Sequence, residues 1–309
     1  KGAVEHILEE TEIVEHVLHI DGTGTANSRN FEKTLAESMP RPVTTDHVTE
    51  EDIACLIFTG GTTGLPKGAQ ISHRMIGWNT LNTVIHDLQH GDITVNSFPM
   101  FHTGGLLVYT MPLLILGGTV ILTRKFDAAQ VLALIEEYAV TVYAGVPTMY
   151  QMMTRADNWS QADLSSLRFC KSGGAPLPVP LVEQFRDEKG VVFKQGFGMS
   201  EFGPGVFALA PDDAIRKAGS IGRPNYFVDA RVVDEDNNPL PPGEVGELVR
   251  RGPSLCSGYF NEPVESANAV DDEGWFHTGD LATVDAEHYY TIVDRKKDLF
   301  ISGGENIYP

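Results

Sequence analysis

The sequence predicts an α/β protein with parallel or mixed sheets covered by helices, followed by a smaller antiparallel β subdomain. From residue 52 to about residue 196, apolar runs alternate with helical patterns, which indicates repeated β-α units. These runs are almost continuously apolar, as is typical of strands covered on both faces of a parallel sheet. Beyond about residue 211, alternating and β-branched runs separated by turn formers favour antiparallel strands.

The elements are predicted in chain order from these patterns. Strands are expected over residues 53–58, 93–98, 119–122, 141–144, 167–171 and 191–194. Helices are expected over residues 31–37, 72–88, 105–116, 128–138, 148–155 and 180–188. The later strands are expected over 228–233, 246–250 and 289–293, with turns at 236–239 and 241–243. Ligands of such folds bind at the carboxyl ends of the parallel strands.

One uncharged stretch, residues 103–123, has the composition of a membrane span. Pro112 and the glycines at 117 and 118 interrupt it, however. We therefore interpret it as a buried helix followed by a buried strand, and no transmembrane span is predicted.

The charge balance limits the ligands that a general surface of this chain can bind. The 309 residues include 23 Lys and Arg against 42 Asp and Glu, a formal net charge of −19. Nucleic-acid binding needs a basic surface, so nucleic acid is disfavoured as a partner. An anionic nucleotide would need local backbone N–H groups, a few cations or a metal ion.

Cysteine and histidine patterns give little support to a disulfide scaffold or a zinc site. The three cysteines are far apart and form no C-x-x-C pair, which fits a reducing cytoplasm: Cys55, Cys170 and Cys256. His86 and His90 have a spacing that can bind zinc on a helix. Asp87 between them and Gly91 after them instead favour a solvated helix end.

The strongest local signal is a loop of glycines, threonines and one lysine that follows a predicted buried strand. Glycines let a ligand approach the backbone closely, hydroxyls donate to oxygen atoms, and a lysine supplies positive charge. The loop is not a Walker motif, because the required Gly-Lys-Ser/Thr spacing is missing. It predicts a phosphate-binding loop, with a flexible surface loop as the alternative: Thr59, Gly60, Gly61, Thr62, Thr63, Gly64 and Lys67.

This loop resembles the phosphate loop of the adenylate-forming superfamily, which includes acyl-CoA synthetases, luciferases and the adenylation domains of peptide synthetases. Eight further segments resemble the motifs of that family, in the same order, at residues 99–102, 173–176, 195–201, 246–248, 251–253, 258–259, 275–280 and 294–298. The resemblance covers residues 59–309 and implies the large domain of an adenylate-forming enzyme. It implies α/β subdomains over residues 1–210, a β-rich subdomain over 211–298, and a hinge with the start of a further domain over 299–309.

The resemblance also implies roles for individual residues in binding ATP or AMP. Thr59, Thr62, Thr63 and Lys67 would hold the β- and γ-phosphates. Glu201 would bind Mg²⁺, a cation that prefers oxygen ligands beside phosphates. Ser200 would donate to the α-phosphate, Phe197 would stack on adenine, and Asp280 and Arg295 would bind the ribose. Asp298 would be the hinge. The other residues implied to contact the nucleotide are Gly173, Gly174, Ala175, Pro176, Gln195, Gly196, Gly198 and Met199.

The implied reaction joins a carboxylic acid to AMP and then to CoA as co-substrate, with Lys67, Ser200, Glu201 and His102 as the catalytic residues. His102 stands where amino-acid-activating relatives have Asp, so an amino-acid substrate is disfavoured. The implied acyl pocket is small or apolar and favours a fatty acid, with an aryl acid as the alternative: His102, Thr103, Gly104, Leu106, Gly173, Gly174, Gly198 and Met199. Carrier-protein loading, luciferase-like oxygenation, a nucleotide-hydrolysing switch and a non-catalytic binding module remain alternatives.

The ends of the chain carry a further expectation. In the resembled family a small domain begins where this sequence ends, and more residues precede the phosphate loop. The small domain supplies a lysine to the adenylation step and much of the CoA surface. We therefore expect the 309 residues alone to bind nucleotide or acyl-adenylate but to adenylate slowly. Peripheral membrane contact and oligomer contacts are left open.

Overall fold

The computed structural model describes residues 2–11, 13–22, 24–25, 28–40, 45–60, 66–295, 300–302 and 305–307. Contacts divide the chain into two units, Lys1–Val48 and Thr49–Pro309. The first unit contains α1 (Gly2–Glu10), β1 (Val17–His19), β2 (Ser28–Asn30) and α2 (Phe31–Glu37), and β1 pairs with β2 in parallel. The Asn30 side chain caps α2 by accepting a 2.9 Å hydrogen bond from the Lys33 N–H. The helix predicted over 31–37 is confirmed.

The second unit contains the remaining described helices and strands. The helices are α3 (His73–Val84), α4 (Thr103–Leu107), α5 (Thr110–Leu116), α6 (Ala128–Glu137), α7 (Pro147–Thr154), α8 (Val179–Lys189) and α9 (Pro263–Asn268). The strands are β3 (Ile53–Thr59), β4 (Lys67–Ser72), β5 (Ile93–Asn96), β6 (Thr119–Leu122), β7 (Val142–Gly145), β8 (Phe169–Ser172), β9 (Phe193–Met199), β10 (Gly203–Leu209), β11 (Arg223–Pro224), β12 (Asp229–Val233), β13 (Gly246–Arg251), β14 (Phe276–Val284), β15 (Tyr290–Arg295), β16 (Phe300–Ser302) and β17 (Glu305–Ile307).

The early strands are divided among several sheets. β7, β8 and β9 are parallel neighbours in a sheet of order β11-β10-β9-β8-β7, in which β10 and β11 run antiparallel. β5 pairs with β6 in parallel, and β3 pairs with β4 antiparallel. The predicted α/β class with parallel and mixed sheets is confirmed. β4 and β10 are rich in glycine or polar residues, so their apolar pattern is weak, and both add antiparallel pairs.

Aromatic rings join the helices to the sheet that contains β7, β8 and β9. The Tyr150 ring lies edge-on to the rings of Tyr143, Phe185 and Phe193, with centroid distances of 5.8, 5.6 and 4.8 Å. The Tyr150 hydroxyl donates a 2.7 Å hydrogen bond to the carbonyl of Lys171, near the end of β8. The core therefore fixes the carboxyl end of β8, where a ligand-binding turn is expected.

The uncharged stretch 103–123 forms two short helices and a strand. The single helix predicted over 105–116 is wrong, because Tyr109 leaves the helical conformation between α4 and α5. Pro112 explains the break, since its ring would clash with the carbonyl of Val108 in a continuous helix. Gly117 ends α5 with φ +78°, a left-handed conformation that suits glycine. Among the residues that the structure describes, no helix has the length and apolarity needed to cross a bilayer.

The later part of the second unit contains the antiparallel sheet β12-β13-β14-β15. Thr278 and Gly279 are residue types that often form turns, but they lie with Asp280 inside β14. Gly279 has φ +71°, and the pairing of β13 with β14 shifts register across this point. Turn-forming residues therefore make an irregularity within a strand, which the sequence pattern alone does not distinguish from a turn. The antiparallel subdomain is confirmed, whereas the boundary at residue 210 stays a prediction.

Candidate active site

The base of the predicted phosphate loop is fixed by a β-hairpin. Thr59 ends β3 and Lys67 begins β4, and the two residues are directly opposite each other in the antiparallel pair. The Thr59 hydroxyl lies 3.5 Å from the carbonyl oxygen of Lys67. The hairpin therefore brings one hydroxyl and one cation together at the mouth of the loop. The other loop residues with predicted roles, Gly61, Thr62, Thr63 and Gly64, lie outside the described residues.

Glu201 lies beside this hairpin, in the turn between β9 and β10. Its Oε1 accepts a 2.9 Å hydrogen bond from the Tyr259 hydroxyl and lies 3.5 Å from the Thr59 hydroxyl. The residue is only 6% exposed, and within the described part of the chain no cationic side chain pairs with its carboxylate. A buried carboxylate without a cation is costly. A carboxylate and a hydroxyl beside a phosphate loop are ligands that Mg²⁺ accepts, so these residues fit the predicted metal.

Two further residues complete this cluster, and the sequence did not assign them a role. The Lys67 ammonium forms an ion pair with Glu265 in α9, and it lies 5.6 Å from the centroid of the Tyr259 ring. Burial and the neighbouring Glu201 carboxylate raise the pKa of Tyr259, so its hydroxyl stays protonated as a donor. Tyr259 belongs to a segment that resembled a family motif, whereas nothing in the sequence indicated Glu265.

The two predicted adenylate-contacting segments are neighbours. β8 and β9 are parallel, with Ser172 opposite Gln195, so residues 173–176 leave β8 beside the strand that contains residues 195–199. The Leu177 N–H lies 3.4 Å from Oε1 of Gln195 and links the two segments. A Cβ on Gly173 would lie 3.1 Å from the carbonyl oxygen of Gly196, which shows how closely the backbones approach. The structure therefore brings these glycine-rich segments together.

Phe197 and Asp280 are placed by their strands. The Phe197 ring packs edge-on against Phe207 at 5.9 Å, and the Arg250 guanidinium lies 5.6 Å from the Phe197 centroid. Asp280 is buried, its N–H donates to the Thr278 hydroxyl at 3.0 Å, and its cross-strand partner is Arg295. The side chain of Arg295 and all of Asp298 lie outside the described residues, so their predicted roles stay predictions.

His102 begins α4 as its N-cap. Its Nδ1 accepts a 2.9 Å hydrogen bond from the Gly104 N–H, so this ring nitrogen is engaged by the backbone. Thr103 is buried in the first turn, and Leu106 packs against the apolar cluster around Ile71. That these residues line the acyl pocket stays a prediction.

A buried lysine, which the sequence analysis did not single out, lies next to the glycine-rich segments. Lys171 is in β8, and no described residue accepts a hydrogen bond from its ammonium. It lines a cavity, together with Gln195, whose buried Nε2 also has no acceptor. His86 and Tyr109 lie on the same cavity. The Lys171 ammonium therefore faces this space with no acceptor among the described residues, whereas the Gln195 side chain, opposite Ser172, lies on the other face of the sheet, where it accepts from the Leu177 N–H.

Lys171 should make the stability of the chain depend on pH. Burial, with the nearby Lys194 ammonium, lowers the pKa of Lys171 from 10.5 to about 8. Between these values the unfolded chain binds more protons than the folded chain, so this group's contribution to stability rises with pH from about 8 to about 10.5. We expect the free energy of unfolding of the wild type to rise relative to that of Lys171→Met across this range, measured by urea unfolding. A difference that stays constant with pH would contradict the assignment.

The remaining histidines show no joint metal site. His86 is half-buried and its Nε2 contacts Asn225, so the prediction that it lies at a solvated helix end is wrong. Nδ1 of His90 lies 2.7 Å from the carbonyl oxygen of Leu116. Within the described ranges, no group of three or more His, Cys, Asp or Glu side chains could hold a metal ion.

Comparisons with known proteins agree with the fold. The family described as AMP-binding enzyme matches residues 2–260. A feruloyl-CoA synthase from Amycolatopsis sp. is 45% identical over 260 residues, covering 84% of this chain and 52% of that protein. A long-chain-fatty-acid–CoA ligase from Bacillus subtilis is 37% identical over 297 residues, covering 94% of this chain and 53% of that protein. The structure of the amide bond synthetase McbA from Marinactinospora thermotolerans matches with a TM-score of 0.86 and 30% identity, covering 99% of this chain and 60% of that one.

The chain spans about half the length of these two curated relatives. The family match nevertheless includes the hairpin with Thr59 and Lys67, both glycine-rich segments, and Glu201 with Tyr259. On these grounds, the chain belongs to the AMP-binding enzyme family.

Proposed function

We propose that the protein carrying this chain uses ATP to convert a carboxylic acid into an acyl-adenylate and pyrophosphate, and then transfers the acyl group to the thiol of CoA. One observation carries the proposal. A buried carboxylate with no cationic partner among the described residues, Glu201, lies beside the hydroxyl of Thr59 at the base of a loop that begins and ends in a fixed hairpin. This arrangement suits a metal-bound triphosphate.

The reaction needs no nucleophile from the protein. A carboxylate oxygen of the acid attacks the α-phosphorus of ATP, the bond to the bridging oxygen breaks, and pyrophosphate leaves with that electron pair. Lys67 and Thr59 would hold the phosphates, and Ser200 would donate to the α-phosphate. Mg²⁺ held by Glu201 would neutralise phosphate charge when bound. The sulfur of CoA then attacks the acyl carbonyl, and AMP leaves. Positioning and electrostatic stabilisation provide the catalysis.

The acid is proposed to be aromatic, with an oxygen substituent at the end distant from its carboxylate. Lys171 lies near the end of β8, two residues before Gly173, which follows the strand directly and belongs to the proposed acyl pocket. Lys171 is buried on the wall of a cavity with no acceptor among the described residues, and a hydrocarbon chain there would leave its ammonium unsatisfied. A phenolic oxygen would satisfy it, and the feruloyl-CoA synthase similarity supports the same class.

Two specific observations favour other candidates. The Bacillus subtilis fatty-acid–CoA ligase aligns with 94% of this chain, and residues 101–105 resemble the acyl-pocket segment of fatty acyl-CoA synthetases, so a long-chain fatty acid is the second candidate acid. The match to an amide bond synthetase makes an amine the second candidate acceptor.

Carboxylate-dependent ATP–pyrophosphate exchange by the intact protein tests the proposal. The panel includes a 4-hydroxycinnamate, unsubstituted cinnamate, a long-chain fatty acid and an amino acid, followed by thiol-ester detection with CoA and amide detection with an amine. We expect the fastest exchange with the 4-hydroxycinnamate and a thioester with CoA. Absence of exchange with every acid would overturn the proposed reaction and favour a binding module.

Replacing Lys171 with Met should remove the preference for the phenolic acid. We expect kcat/KM for the 4-hydroxycinnamate to fall by roughly 10- to 100-fold, because its oxygen loses a buried donor. Exchange with unsubstituted cinnamate should change little. Lys189→Met, which removes a lysine from the surface helix α8, is the control. Equal losses of kcat/KM for both acids would show that Lys171 does not bind the distal oxygen.

A further inference from the structure

The cation expected to hold the ATP phosphates already has an anionic partner. Lys67 forms an ion pair with Glu265, which lies in the short helix α9, far from Lys67 along the chain. The Lys67 side chain is 16% exposed, whereas that of Glu265 is 39% exposed. The lysine is therefore the more confined of the two side chains, and the glutamate is the more accessible to water.

The segment that contains Glu265 is also linked to the Glu201 carboxylate, through Ser266 and Tyr259. Ser266, next to Glu265, accepts a 2.8 Å hydrogen bond from the Tyr259 N–H. The Tyr259 hydroxyl in turn donates to Glu201. Glu265 therefore contacts the lysine, and Tyr259, which is hydrogen-bonded to Ser266, contacts the carboxylate that the proposed function assigns to the metal.

We infer that Glu265 is a positioning residue that holds the Lys67 ammonium in the nucleotide-free site and releases it to the β- and γ-phosphates of ATP. This inference rests on the proposed function. The phosphates carry more negative charge than one carboxylate, so they compete successfully for Lys67. The Glu265 carboxylate then faces solvent, which its exposure permits.

The inference predicts a selective effect on nucleotide affinity. ATP must displace Glu265 from Lys67, whereas AMP has no β- or γ-phosphate and leaves the ion pair intact. Removing the charge of Glu265 should therefore strengthen ATP binding and leave AMP binding unchanged. A glutamate with a purely structural role would weaken both ligands or neither.

Calorimetric titration of the intact protein with Mg-ATP and with AMP, in the absence of a carboxylic acid, tests this prediction. In Glu265→Gln we expect the Kd for ATP to fall by roughly three- to tenfold, with the AMP Kd unchanged. Glu262→Gln is the matched control, because Glu262 lies exposed just before the same helix. In a Lys67→Met background the Glu265→Gln effect should be largely lost. Glu265→Ala provides a second variant, and thermal unfolding checks that each chain is folded.

The outcomes separate this inference from the proposed function. If Lys67→Met does not weaken ATP binding, the assignment of the phosphate loop fails. If Lys67→Met weakens ATP binding but both Glu265 variants bind ATP as the wild type does, only the role of Glu265 is overturned. Weaker binding of ATP and AMP alike in the Glu265 variants would also overturn it.

Discussion

Replacing Glu201 with Gln in the intact protein is expected to slow acid-dependent ATP–pyrophosphate exchange by roughly 10²- to 10³-fold. Gln preserves the size of the side chain and an oxygen that can accept from the Tyr259 hydroxyl. It removes the charge that the proposed reaction uses to hold Mg²⁺ against the phosphates. The loss should appear mainly in kcat, because the charge stabilises the transition state more than the bound substrates.

Two comparisons make this result specific. AMP binding should be retained in Glu201→Gln, since the metal is expected at the pyrophosphate portion of ATP. Glu262→Gln removes an exposed charge and should exchange at the wild-type rate. Exchange by Glu201→Gln within about threefold of the wild type would contradict the metal assignment, because a lost metal contact costs far more.

The largest expected loss of stability follows from Phe185→Ala. Phe185 is fully buried, and its ring centroid lies 4.8 Å from that of Trp159 and 5.1 Å from that of Phe193. Truncation removes these contacts and leaves a cavity between α8 and the sheet. We expect the free energy of unfolding to fall by about 3–5 kcal/mol, measured by urea unfolding followed through tryptophan fluorescence.

Controls of graded size accompany this measurement. Phe185→Leu keeps most of the apolar volume and should cost about 1 kcal/mol. Met152→Ala, at an exposed position of α7, should change stability by less than about 0.5 kcal/mol. A Phe185→Ala chain as stable as Met152→Ala would show that the aromatic cluster contributes little to the core.

The fold could be predicted where the spacing of apolar residues follows the periodicity of a single helix or strand. Apolar spacing and clear boundaries located α2 and β6 residue for residue. β4, β10 and β14 were missed because glycine and polar residues interrupt their alternation. Such strands depend on their neighbours for pairing and burial, and that information is not local. Which strands pair with one another could not be predicted for the same reason.

The candidate active site, too, could be predicted only in part from the sequence. Thr59, Lys67 and Glu201 were identified from motifs, and the structure places them together. The roles of Glu265 and Tyr259 depend on contacts between residues more than fifty positions apart. Lys171 was passed over because, in the sequence, it is one lysine at the end of an apolar run. Only its burial without an acceptor distinguishes it.

The hairpin of β3 and β4 has a consequence for how the loop between them can vary. Lys67 shares one side of β4 with Ala69 and Ile71, both fully buried. Because side chains alternate along a strand, a slip of one residue would turn this ammonium outward and bring Gly68 in its place. A single insertion within β4 would therefore turn the Lys67 ammonium away from Glu265, whereas an insertion between the two strands would leave the register of Lys67 with Thr59 unchanged.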